Sequence, residues 1–74
     1  MIHIPEIVKD TAEYNGFNSI SFAGTIDGCQ VFSVGVKDEN GTPIPLGMPT
    51  FIILKDNTTS VIGGPKGLEL LFRL

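Results

Sequence analysis

The side chains that could do chemistry in this 74-residue sequence are few, and each stands alone. Cys29 is the only cysteine and His3 the only histidine. A thiol nucleophile needs an electropositive setting or a neighbouring base that lowers its pKa. His3 is the one candidate base, and the nearby Asp27 works in the opposite direction. One cysteine closes no intramolecular disulfide, and one cysteine with one histidine does not complete a zinc site. We therefore read Cys29 as a small hydrophobe in a sheet and His3 as a solvated residue leading into a helix.

Two further segments look chemical at first sight. Asp38-Glu39-Asn40-Gly41 begins like a calcium loop, but glycine arrives fourth instead of sixth and Pro49 stands where the twelfth-position glutamate belongs. A polar turn between strands accounts for the same residues. Gly63-Gly64-Pro65-Lys66-Gly67 before a leucine-rich tail resembles an anion-binding helix start, yet it has neither phosphate-loop nor dinucleotide spacing. The carboxylates Glu6, Asp10 and Glu13 share a solvated helical face, and Asp27, Asp38 and Asp56 fall in turns. None lies in an apolar run where burial would tune it for acid–base work. The expectation is a protein that is not an enzyme and uses no cofactor or metal.

Composition narrows the partners. Five Lys and Arg against eight Asp and Glu give a net charge of −3, with Lys9, Lys37, Lys55, Lys66 and Arg73 scattered singly. Nucleic-acid affinity rests largely on clustered cations that neutralise phosphates, so nucleic acid is not an expected partner. An anionic membrane surface is disfavoured for the same reason, and no stretch reaches the ~18–20 apolar residues that span a bilayer. The N-terminus lacks a basic, then apolar, leader pattern. With one unpaired cysteine, this predicts a cytoplasmic protein.

The elements follow from periodicity. Residues 4–16 read as an amphipathic helix with Ile4, Ile7, Val8, Thr11 and Ala12 on one face, Pro5 in its first turn and Asn15-Gly16 as its stop. The pattern then changes to period two. Ile20, Phe22 and Ile26 share one face of a strand, Asp27-Gly28 makes a type I′ hairpin, and residues 29–37 form the second strand. Residues 42–49 carry three prolines and read as an apolar loop. Residues 50–55 form a strand apolar on both faces, and residues 59–63 a fourth strand after the turn at Asp56-Asn57. The tail, 64–74, reads as a short helix, with a fifth strand and an all-β fold as the alternative. The predicted architecture is a single α+β domain spanning residues 1–74, α-β-β-β-β-α, a four-stranded antiparallel meander with both helices packed on one face.

Seventy-four residues make a marginal core, while 42% of the residues are hydrophobic and only 18% are charged, against about 25% in typical domains. Apolar surface then exceeds what one small core hides. The expected function is a protein–protein interaction module, acting as a homodimer or docked on another protein. Ile44, Leu46, Met48, Ile52, Leu54, Leu70 and Phe72 are the expected contact residues, Val31 and the other tail leucines being further candidates. The alternative is a small-molecule or peptide binder roofed by the 42–49 loop, with Thr42 and Thr50 as polar anchors.

Overall fold

The N-terminal periodicity produces α1 (Glu6–Tyr14), shorter than expected at both ends. The computed structural model describes residues 4–45 and 47–74; His3 and Leu46, singled out above, lie outside them. Pro5 stands just before α1 in extended conformation, and its carbonyl accepts the N–H groups of Val8 and Lys9. At the other end Gly16 takes φ +83°. Its N–H donates to Glu13 O at 3.0 Å, and the Phe17 N–H donates to Ala12 O at 2.8 Å. This is a Schellman closure, and it needs the left-handed backbone that glycine supplies without strain. Phe17 then packs beside Ala12, so the stop signal also anchors the chain to the core.

The strands are β1 (Ser19–Ile26), β2 (Cys29–Lys37), the two-residue β3 (Pro43–Ile44), β4 (Thr50–Lys55) and β5 (Thr58–Ile62). They form one antiparallel sheet in the order β1-β2-β4-β5. Asp27 and Gly28 at φ +50° and +79°, and Asp56 and Asn57 at +50° and +62°, give both hairpins the paired positive φ of type I′ turns. At the far end of β2 the side chain of Asn18 imitates a strand backbone: its Nδ2 donates to Lys37 O at 2.9 Å and its Oδ1 accepts from Lys37 N at 2.7 Å. That edge of β2 being taken, β3 pairs with Val36 and Lys37 from the other edge, the one that β4 also uses. The proline-rich segment is thus not loop throughout. It contributes a short strand, leaves the sheet, and returns as β4.

β4 places its apolar residues on both sides. Ile52 and Phe32 are paired and share a cluster with Val8 and Ala12 of α1. Phe51 points the opposite way and clusters with Val31 and with Leu70 of α2 (Gly64–Arg73). The helices therefore cover opposite faces of the sheet, not one face as expected. The cause is the doubly apolar β4, whose two faces each require a cover. Thr11 Oγ1 donates to Ile7 O at 2.8 Å and is also hydrogen-bonded to Thr59 Oγ1 at 2.8 Å, which fastens α1 to β5. The tail is a helix, so the fifth strand of this sheet is β3 and not the C-terminal segment.

β1 departs from the simple alternation. Phe22 pairs with Phe32, but Gly24 pairs with Val31, so the register slips by one residue between them. The slip is a β-bulge, and it moves every later residue of β1 to the other face. Ile20 and Phe22 join the α1 cluster, Phe22 edge-on to Phe32 at 5.6 Å between ring centres, whereas Ile26 joins the α2 cluster. The expectation that Ile20, Phe22 and Ile26 share one face is corrected by this bulge.

Candidate functional site

The residues with chemical potential are dispersed or locally satisfied. Cys29 is half-buried at the start of β2, with its Sγ 3.8 Å from Asp27 O. Asp38 spends its carboxylate on its own turn: Oδ1 accepts the N–H groups of Asn40 and Thr42, both at 2.9 Å, while the Asp38 N–H donates to Thr42 O. The glycine-rich start of α2 is seated on the sheet. Gly67 is buried against the carbonyl groups of Pro49 and Ile62. Among the described residues no three His, Cys, Asp or Glu side chains gather into a metal-binding group. Nor is any helix long and apolar enough to cross a membrane among those residues.

The expected contact residues divide sharply. Ile52 is fully buried beneath α1 and Leu70 is buried on the sheet-facing side of α2, so both belong to the core and present nothing to a partner. Val31 is buried in the same cluster as Leu70. Leu54 is half-buried against the α1 cluster. Ile44 and Met48 are exposed, and Phe72 is 81% exposed. Leu71 and Leu74, among the tail leucines, are exposed as well. Ile7, Tyr14 and Val61, which sequence reasoning did not single out as contacts, add to the exposed apolar surface. A signal for Tyr14 existed: it lies off the stripe set by Ile4, Val8 and Ala12.

Two depressions shape the surface. One of about 260 Å³ lies between α2 and the sheet, lined by Ile53, Ile62, Lys66, Glu69, Leu70 and Arg73. That is below the ~300–1,000 Å³ usual for small-molecule sites. The other, about 390 Å³, lies between the hairpin turns, where Asp27, Gly28 and Gln30 face Leu54, Lys55, Asp56 and Asn57. The described residues of 42–49, the expected roof of a ligand pocket, line neither.

The α2 helix organises the most distinctive surface. Gly67 and Leu70 are its buried residues, and Leu74 reaches the bulge, its Cδ2 3.1 Å from where a side chain on Gly24 would begin. Arg73 Nη2 donates to Asp27 Oδ2 at 2.9 Å, tying the end of α2 to the first hairpin. Lys66, Glu69 and Arg73 occupy one flank, beside the smaller depression. At about 100° per residue, Leu68 and Leu71 fall on the other flank, while Phe72 points away from the sheet, about 60° from Glu69.

Compared with known protein families, with curated proteins and with solved structures, the chain has no significant match.

Proposed function

We propose that this chain is a non-enzymatic interaction module of the cytoplasm that works by self-association or by docking on another protein. One observation carries the reading: large apolar side chains stand exposed on this small chain, Phe72, Leu71 and Leu74 on α2 together with Met48 and Ile44. Apolar surface gains free energy when removed from water, at about 25 cal/mol per Å², and a contiguous patch of it on a small protein marks an interaction site. The cations sit apart on α1, β2, the second hairpin and α2, which supports a protein partner over nucleic acid.

Sedimentation equilibrium at micromolar concentration tests the self-association arm. The reading predicts a mass near twice 7.9 kDa, or a concentration-dependent average between the two. For the docking arm, a protein isolated with the tagged chain must bind the purified chain directly, and must lose affinity when Phe72 is replaced. A monomer without such a partner contradicts the proposal.

A further inference from the structure

We infer that the open edge of β5 receives an extended segment of another protein, added as an antiparallel strand with an acidic residue two positions before an aliphatic one. The inference rests on the docking arm of the proposed function and names that partner's chemistry. It concerns a surface apart from Leu71 and Phe72, so it leaves self-association there untouched. In a two-residue hairpin the residues flanking the turn exchange hydrogen bonds, and bonded pairs alternate from there. Lys55–Thr58, Ile53–Ser60 and Phe51–Ile62 are therefore the bonded pairs, and Thr59 and Val61 turn their N–H and C=O groups outward. Among the described residues these groups meet no backbone partner. The sheet's other edge, β1, is blunted by its bulge, whereas β5 carries no bulge, charge or proline. A strand edge of this kind is completed by the backbone of another strand.

The side chains beside the edge set the sequence that pairs there. On the α2 face, exposed Ser60 is paired with Ile53, which lines the depression of about 260 Å³ together with Ile62 and Leu70. A residue added opposite Ser60 points at that apolar floor, which takes one aliphatic side chain. Opposite Ile62 the added residue faces Lys66, because Gly67 packs on the Ile62 carbonyl and so holds the start of α2 at this end. Arg73 is engaged by Asp27, but Lys66 has no carboxylate within 4.0 Å among the described residues. A carboxylate there meets an unpaired cation and the positive end of α2. Between the two, on the α1 face, the added residue lies beside the exposed Val61 and the Ile7–Thr11 flank that the Thr59 bond draws to this edge. A second β5 does not supply the match, since residues 58–62 hold no carboxylate for Lys66.

Panning a phage library of random heptapeptides on the purified chain, followed by NMR titration with the selected peptide, tests the site. The expected selection carries Asp or Glu two positions before Leu, Ile or Met, and the synthetic peptide shifts the Thr59 and Val61 amides. Val61→Pro removes an outward N–H and spares the ladder to β4, while Lys66→Glu reverses the charge. Each folded variant should bind the peptide roughly tenfold more weakly or worse. If Val61→Pro loses its native circular dichroism, the peptide N-methylated between its acidic and aliphatic residues takes its place and should lose as much affinity. No selected binder, a selection without the pattern, or undiminished binding after the proline or N-methyl change overturns the inference and leaves self-association standing. A wild-type dimer that Val61→Pro dissociates overturns it as well, since the edge then belongs to a second copy.

Discussion

Gly67 of α2 lies directly on the carbonyl oxygen of Pro49, with no room for a methyl group between them. The obstacle is backbone, so it cannot swing aside as a side chain would. Through this contact the proline-rich segment, having left the sheet after β3, is clamped beneath the second helix before it returns as β4.

Replacing Gly67 by alanine should therefore destabilise the fold by ~1–3 kcal/mol, the range seen when a packed site is overfilled, even though alanine is the better helix former. Gly35→Ala provides the contrast: its added carbon meets open space, and the change should be neutral or mildly stabilising. Urea unfolding of the two variants measures the difference. Equal stability of both would refute the close packing.

Ile52→Ala and Phe72→Ala separate core from surface. Ile52 is fully buried in the α1 cluster, and its truncation should cost ~2–5 kcal/mol, much of the stability of so small a domain. Phe72 is exposed in the single chain, so at dilute concentration its truncation should change stability by less than ~0.5 kcal/mol. Thermal melts below the association range check the pair.

Asn18 continues the β1–β2 ladder by side chain, donating to and accepting from the backbone of Lys37. Asn18→Ala should cost about 1 kcal/mol, since the freed backbone groups are exposed and water replaces part of what is lost. Amide exchange should quicken at Lys37, whose N–H donates to Asn18 Oδ1, and not in the centre of β2. Unchanged protection at Lys37 would contradict the pairing.

The Asp27–Arg73 ion pair joins two exposed side chains, so Arg73→Ala should cost under ~1 kcal/mol and less still in high salt. Asp27→Ala should cost more, because position 27 holds φ +50° in the hairpin turn, a conformation that aspartate tolerates better than alanine. Equal costs for the two variants, measured by denaturant titration, would mean that the turn contributes nothing beyond the ion pair.

Much of the fold was legible because turn chemistry and alternation agree locally. The bounds of β2 and β4, and the hairpin at Asp27-Gly28, follow from residues within a few positions of one another. The bulge in β1 hid behind an unbroken alternation, since Ile20, Phe22 and Ile26 look equivalent until pairing with β2 slips at Gly24. A glycine inside a strand pattern was the available sign. The doubly apolar β4 carries the information that both faces need a cover, although the periodicity of each helix does not say which face it takes. For the candidate site, Phe72, Ile44 and Met48 are exposed as expected, while Ile52 and Leu70 are core. Hydrophobicity marks both classes alike, and only the placement of α1 and α2 sorts them.

A dilution series of backbone amide and aromatic NMR spectra tests the central claim most directly. From micromolar to millimolar protein, the account predicts concentration-dependent shifts that saturate together at the exposed Leu71 and Phe72. Lys9, on α1 at the opposite face of the sheet, should hold still. Spectra that do not change over the whole range at either residue would contradict it.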